Sequence, residues 1–155
     1  MNFILSGLSY KNNNFFAKYT KVFIITGKNS FYKTKLNKVV VDIFKEKKIF
    51  VFLKKKKIPE LSELKKIILN MNKFQPDLIL GIGGGSVIDY SKLSNVLINE
   101  KNIEHCIKHN IVSKKKRCDL AIFPTTAGSG AECTNFSVIY IKNNKCMSVC
   151  VMVIV

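Results

Sequence analysis

A run of three glycines followed by a serine, Gly83–Ser86, is the segment of this sequence with the most evident binding chemistry. It directly follows the apolar segment Asp77–Ile82. Glycines let the backbone approach a ligand closely, and the start of the following helix presents free N–H groups and a partial positive charge that suit a phosphate. Ser86 either caps that helix or donates to a phosphate oxygen. By itself the segment predicts an anion or nucleotide site, with a plain strand-to-helix turn as the alternative.

A second polar loop, Thr125–Gly130, follows the apolar segment Leu120–Phe123 and Pro124. Its small residues and hydroxyl groups form a rim with several hydrogen-bond donors at the end of a buried strand. An ordinary glycine- and serine-rich loop would explain it when taken alone. Two such loops, each ending a strand, make that coincidence less plausible and favour one shared site.

Strands and helices alternate along the chain, which predicts an α/β fold of one domain over residues 1–155. We expect a Rossmann-like, mostly parallel sheet with helices on both faces, and a ligand site at the carboxyl ends of its strands. Gly27 then lies at that edge with the two polar loops. The predicted strands are Lys21–Thr26, Ile49–Leu53, Asp77–Ile82 and Leu120–Phe123, and the predicted helices are Lys33–Lys47, one opened by Pro59, and Ser86–Asn99.

The net charge of +16 comes almost entirely from lysine spread along the chain. This distribution favours a solvated surface over a nucleic-acid site, because arginine, the preferred base reader, occurs once, at Arg117. No apolar run approaches the roughly 18–20 residues that a membrane span needs. We therefore expect a cytoplasmic protein that binds neither nucleic acid nor membrane.

The five cysteines contain no CxxC pair, and their odd number indicates reduced thiols. His105 and His109 are four residues apart and would share one face of a helix. The lysine and asparagine residues around them favour exposed polar side chains over metal ligands. The residues alone therefore predict no metal site.

The sequences GGGSVIDYSK (83–92) and PTTAGSGAECT (124–134) resemble the two signature stretches of the iron-containing alcohol dehydrogenases, usually GGGSxxDxAK and PTTxGTGSExT. Val22–Lys28 with Ser30 is similar to the family's first strand and turn, and Phe136–Ile139 with Lys145 resembles the stretch before its lysine. The resemblance covers roughly residues 20–148. It implies an N-terminal domain that binds NAD or NADP, and a helical C-terminal domain that binds a divalent metal, iron or zinc.

The resemblance also assigns roles to individual residues. Gly83–Ser86 would hold the pyrophosphate, Lys145 would reach a ribose, and Asp89 with Lys92 would support the helix. Many NAD-specific members carry an aspartate where this chain has Gly27, so NADP is not strongly excluded, and Lys28 or Ser30 would contact its extra phosphate. The full set of cofactor-binding candidates is Gly27, Ser30, Gly83, Gly84, Gly85, Ser86, Asp89, Thr125, Thr126, Ser129 and Lys145.

The chain departs from the family pattern in several places. Tyr90 stands for the usual alanine, Ala131 for serine, and Ile58 for an asparagine that precedes the proline in many members. The sequence ends at Val155, after the apolar tail Val149–Val155, where the family would continue into its helical metal domain. We therefore expect a truncated chain with no catalytic metal ligands and no turnover of its own.

Three hypotheses about function follow from these observations. The first is a fragment of an NAD(P)-dependent alcohol dehydrogenase or aldehyde reductase, with an alcohol or aldehyde substrate and a possible homodimer. The stretch after the second motif, Thr134–Tyr140, is most similar to a subgroup that reduces phosphonoacetaldehyde-like substrates. The alternatives are a non-catalytic nucleotide-binding or interaction fragment, and a protein resembling glycerol dehydrogenase or dehydroquinate synthase.

Overall fold

In the computed structural model, residues 16–32, 36–111, 118–141 and 145–150 are described. Apolar β-branched and aromatic residues form the strands, and amphipathic segments form most of the helices. The elements in chain order are β1 Lys21–Gly27, α1 Lys28–Tyr32, α2 Leu36–Phe44, β2 Lys48–Lys54, α3 Leu61–Phe74, β3 Leu78–Gly83, α4 Gly85–Leu97, α5 Ile103–Lys108, β4 Asp119–Pro124, a 3₁₀ turn Ala131–Cys133, β5 Phe136–Ile141 and β6 Lys145–Cys150.

The central sheet has the strand order β2-β1-β3-β4, and each neighbouring pair is parallel. The registers place Gly27 beside Lys54, and Gly83 beside Pro124. The carboxyl ends of the strands therefore meet at one edge, where open α/β sheets bind ligands. The remaining described strands, β5 and β6, form an antiparallel pair.

Helices cover both faces of the sheet, because alternate strand residues point to opposite sides. Phe23 and Ile79 pack in one cluster with residues of α3, α4 and α5. Val22 and Leu80 pack in another with Phe31 of α1 and residues of α2. The predicted α/β, Rossmann-like fold with a mostly parallel sheet is confirmed.

Some element boundaries differ from the sequence-based prediction. The turn expected after β1 is the short helix α1, and the helix expected from Lys33 is described from Leu36 to Phe44. Pro59 is not the first helical residue, because the backbone of Pro59 and Glu60 is paired with β5. The Tyr140 N–H donates to the Pro59 carbonyl at 2.7 Å, and α3 begins only at Leu61.

Among the described residues, no helix is both long and apolar enough to cross a membrane.

Candidate functional site

Direct hydrogen bonds bring the three strand-end loops together. The Thr125 N–H donates to the Gly83 carbonyl at 3.0 Å, which ties the loop after β4 to the glycine turn after β3. The Thr125 hydroxyl lies 3.2 Å from the Ser30 hydroxyl, which belongs to α1 after β1. The convergence expected from the sequence is therefore present in the structure.

The three glycines of the turn have different structural roles. A Cβ atom on Gly83 would lie 2.6 Å from Val87 Cγ2, and one on Gly84 would lie 2.9 Å from Thr126 Oγ1. Both distances are too short for a real Cβ contact, so a side chain at Gly83 or Gly84 would require Val87 or Thr126 to move. A Cβ on Gly85 would lie 3.5 Å from Ser129 Cβ, an ordinary contact. Gly85 is therefore the position of the turn that leaves room beside the loop after β4.

The first turn of α4 has no side-chain cap. Gly84 is the N-cap residue, and its carbonyl accepts the N–H groups of Val87 and Ile88 at 2.9 and 3.2 Å. Ser86 lies inside the first turn, so the interpretation that it caps α4 is wrong. The geometry of a helix gives the N–H groups of Gly85 and Ser86 no acceptor within α4, and these donors suit an anion.

A cleft of about 460 Å³ opens between the start of α4, the Ser129 loop and β5. Its lining includes both polar and apolar residues, as in many cofactor sites. Ile58 is one of the apolar lining residues and is 46% exposed, which makes it available to a ligand. The polar lining residues include Ser86, Asp89, Ser129 and Thr134, next to Gly85, and the apolar ones include Ile58, Pro59, Phe136, Val138 and Tyr140.

Asp89 and Lys92 of α4 contact the segment that runs from the 3₁₀ turn into β5. The Lys92 side chain is only 1% exposed, and its ammonium donates to the carbonyls of Ala131, at 2.9 Å, Thr134, at 3.0 Å, and Phe136. Burial raises the pKa of Asp89 to about 6, although Lys92 and the Val138 N–H act in the opposite direction. Burial also lowers the pKa of Lys92. Asp89 also lines the cleft.

Tyr90 holds the loop that carries Ile58. Its buried phenol oxygen accepts the Glu60 N–H at 2.6 Å and lies 3.4 Å from the Ile58 carbonyl. Burial raises the pKa of this phenol. Two departures from the family pattern, at positions 58 and 90, are therefore in contact. The sequence pointed to each residue separately but gave no signal that they meet.

Lys54 was not predicted from the sequence, although it lies beside a predicted site residue. It is the register partner of Gly27, and its Cε lies 4.0 Å from where a Gly27 Cβ would be. Its ammonium donates to the carbonyls of Lys56 and Lys57 at 2.8 and 3.5 Å. The proximity of Lys54 to Gly27 becomes evident only when the order of the strands is known.

Three predicted site residues remain: Thr126 and Ser129, which belong to the loop after β4, and Lys145, for which only the backbone is described. Thr126 is exposed beside Gly84, and the Ser129 hydroxyl lies 3.5 Å from a Glu132 carboxylate oxygen. Lys145 begins β6, but its side chain lies outside the described residues, as does the tail from residue 151.

Within the described ranges, no group of three or more His, Cys, Asp or Glu side chains has the arrangement of a metal site. His105 and His109 are both exposed, and their rings lie 4.2 Å apart between centroids. The His109 ring nitrogen Nδ1 contacts the His105 carbonyl at 3.0 Å. The described residues therefore do not fit the family's metal.

The fold and the convergent loops define a Rossmann-like α/β domain with a polar cleft at the carboxyl edge of its sheet. A sequence model described as iron-containing alcohol dehydrogenase matches residues 5–153. The chain belongs to the iron-containing alcohol dehydrogenase family, as its two loop motifs indicated.

Known relatives are considerably longer than this chain. It is 34% identical over 131 residues to 4-hydroxybutyrate dehydrogenase of Clostridium kluyveri, a match that covers 82% of this chain and 34% of the relative. It is 30% identical over 135 residues to aldehyde-alcohol dehydrogenase 2 of Entamoeba histolytica, covering 77% of this chain and 15% of the relative. The chain thus spans about a third or less of the curated relatives it matches.

The fold is shared with solved structures of the family. The crystal structure of sulfoacetaldehyde reductase from Bifidobacterium kashiwanohense in complex with NAD⁺ matches with a TM-score of 0.82 at 20% identity. The match covers 94% of this chain and 40% of that one. At this identity the likeness supports the fold alone.

Proposed function

We propose that this chain is the cofactor-binding domain of an NAD(P)-dependent alcohol dehydrogenase or aldehyde reductase. The uncapped start of α4 carries this proposal, because its first residues line the same cleft as Ser129. The N–H groups of Gly85 and Ser86 would donate to the pyrophosphate, and Ser86 Oγ would add a hydroxyl donor. Gly85 leaves the space for that approach.

The residues around the turn would orient the two halves of the cofactor. Thr125, Thr126 and Ser129 offer hydroxyl groups on the β4 side, next to the cleft that would take the nicotinamide half. Ile58 and Val138 offer an apolar wall there, which excludes water from one face of a ring. The bound nicotinamide supplies the hydride chemistry. Lys145 would contact a ribose, and this role rests on the resemblance.

Family membership and the names of the relatives support a small alcohol or aldehyde as the substrate. The relatives named above include a 4-hydroxybutyrate dehydrogenase, and one of the structural neighbours is a sulfoacetaldehyde reductase. Acidic aldehydes and their alcohols are therefore the first substrates to test. The described residues hold no metal-ligand set, so no catalytic step is assigned to a metal bound by them.

We also propose a cytoplasmic location and a homodimer. Cys106 and Cys118 are buried and Cys133 is exposed, and all three are free thiols, as expected in a reducing compartment. The homodimer rests on the resemblance and is checked by sedimentation of the purified chain.

Titration of the purified chain with NADH, followed by cofactor fluorescence, tests the proposed binding site. We expect weak but saturable binding and at least a tenfold loss for Gly85→Val, because the new side chain would fill the space in front of the first turn of α4. A tenfold loss corresponds to about 1.4 kcal/mol.

Ser62→Val is the matched control, because Ser62 is exposed in the first turn of α3, outside that cleft. It should bind NADH as the wild type does. Absence of NADH binding, or equal binding by the folded Gly85→Val variant, would contradict the proposed function.

A further inference from the structure

The ends of β1 and β2 form a cationic surface on one side of the glycine turn. Lys54 ends β2 and is paired in register with Gly27, which ends β1. Lys28 follows Gly27 and is exposed. Because strands in a sheet are about 4.8 Å apart, β2 lies roughly 10 Å from β3, within reach of a dinucleotide whose pyrophosphate is at the start of α4.

The opposite side of the glycine turn carries carboxylates. Asp89 lines the cleft toward β5, and Glu132 lies beside Ser129 in the following loop. A cofactor half that bears an additional phosphate would be repelled there and attracted toward β1 and β2. Charge alone thus favours the adenosine half on the side of Lys54.

The side chain of Lys54 is held in place rather than free in solvent. Its stem crosses Gly27, with Cε 4.0 Å from the position of a Gly27 Cβ, so no side chain at position 27 separates it from the edge of the sheet. Its ammonium donates to the Lys56 and Lys57 carbonyls, and an ammonium has three protons. These two bonds leave a third proton for another acceptor.

The turn that follows β2 is fixed by a buried carboxylate. Glu63 of α3 accepts the N–H groups of Lys55 and Lys56 at 2.7 and 3.2 Å. Glu63 is thereby committed to the backbone, although its charge still acts on Lys54. Burial lowers the pKa of Lys54, and an incoming phosphate would favour its charged form. The ammonium is therefore already positioned, and phosphate binding would cost little additional side-chain entropy.

We propose that Lys54 binds the phosphate on the 2′ oxygen of the adenosine ribose, and that this chain therefore prefers NADP(H) to NAD(H). The inference rests on the proposed function, because it assumes that the pyrophosphate lies at the start of α4. It differs from the expectation drawn from sequence, in which Lys28 or Ser30 contacts that phosphate.

Parallel fluorescence titrations with NADPH and NADH test the proposal in the full 155-residue chain. We expect NADPH to bind at least tenfold more tightly than NADH. Lys54→Ala should remove most of that difference by weakening NADPH and leaving NADH within about twofold. Lys54→Gln keeps most of the stem that packs across Gly27 but removes the charge, and it should lose the same preference for NADPH. A loss of NADPH binding in Lys54→Ala that is absent in Lys54→Gln would therefore be due to the lost packing and not to the lost charge.

Lys55→Ala is the matched control, since it removes the same charge from an exposed side chain of the same turn. It should leave the ratio of NADPH to NADH affinity within about twofold of wild type. Equal affinity of the wild type for the two cofactors, or an equal loss of both in Lys54→Ala, overturns this inference alone. If neither cofactor binds, the proposed function fails together with it.

Discussion

At the scale of single residues, the glycine turn separates a packing requirement from a binding requirement. A side chain at Gly83 would overlap the buried Val87, and one at Gly84 would require the exposed Thr126 side chain to move. A Cβ on Gly85 would make only an ordinary contact with Ser129, and Gly85 lines the cleft. The same motif therefore contains positions whose substitution should affect stability and one whose substitution should affect binding.

Gly83→Ala should lower the free energy of unfolding by about 1–3 kcal/mol, because the new methyl would overlap Val87. Gly85→Ala should leave it unchanged or slightly raised, since its methyl makes an ordinary contact and alanine favours a helix. Urea denaturation of the two variants measures the difference. Equal stability of both would show that the tight contact at Gly83 is relieved at no cost.

Asp89 should make stability depend on pH in an unusual direction. Its pKa is about 6 in the folded chain, above the ordinary value of 3.8, because burial disfavours the charged form. The folded state then holds more protons than the unfolded state between about pH 4 and 6, so stability falls as pH rises through that window.

Asp89→Asn removes this titration. The unfolding free energy of the wild type should therefore fall relative to that of the variant as the pH rises to 6–7. Asp77 provides the opposite sign. Although burial acts to raise its pKa, hydrogen bonds from Thr20 and Lys21 lower it overall, so its contribution is lost as pH falls below about 4. Denaturation at a series of pH values measures both. A pH-independent difference for Asp89→Asn would contradict the assignment.

At the scale of elements, α4 organises the whole carboxyl edge of the sheet. Its first turn lines the cleft, and Tyr90 in its second turn is hydrogen-bonded to the loop before α3. Lys92 donates to backbone carbonyls between the 3₁₀ turn and the start of β5. Residues of α4 are buried nearly throughout, which leaves this helix little freedom to shift. A change in α4 should therefore alter both the loop before α3 and the start of β5, which line the cleft.

Lys92→Met should destabilise the chain by at least about 2 kcal/mol, because the carbonyls of Ala131, Thr134 and Phe136 lose the charged donor that the buried Lys92 supplies. Amide exchange should become faster in β5, whose start is held by these bonds. Lys66→Met, at an exposed position of α3, is the control and should change stability by no more than about 0.5 kcal/mol. Urea denaturation with hydrogen exchange distinguishes the two variants, and equal behaviour would exclude a clamping role for Lys92.

At the scale of the whole molecule, cofactor binding and catalysis make different demands. Binding needs the strand-end loops, which are present in the described residues. Polarising a substrate oxygen needs a donor set or a Lewis acid, and removal of even one such donor typically costs a hundred- to a thousandfold in rate. The described residues contain no cluster of three or more His, Cys, Asp or Glu side chains that could hold a metal.

The expectation from the sequence, no measurable turnover and no stoichiometric iron or zinc, is tested on the purified 155-residue chain. The assay follows NADH or NADPH oxidation with added ferrous or zinc ions and short aldehydes, including phosphonoacetaldehyde and sulfoacetaldehyde. Metal-dependent oxidation that is lost in Gly85→Val would show that the chain carries a complete active site. Cofactor binding without turnover would also be consistent with a non-catalytic nucleotide-binding role.

The sequence by itself determined the four strands of the central sheet, the glycine turn and the polar loop after β4, because these depend on local propensity and on residues adjacent in the chain. It did not predict the antiparallel pair of β5 and β6. It also indicated the family, through two motifs that need no tertiary information. The alternation of strands and helices was sufficient to place Gly27, Gly83 and Thr125 at one edge.

Only the tertiary structure decided which side chains meet across that edge. The order β2-β1-β3-β4 places Lys54 beside Gly27, and the packing of α4 brings Tyr90 to the loop of Ile58. Pairing with β5 moves the start of α3 past Pro59. These contacts join residues far apart in the chain, and their free energy depends on burial and on the neighbouring strand rather than on local pattern.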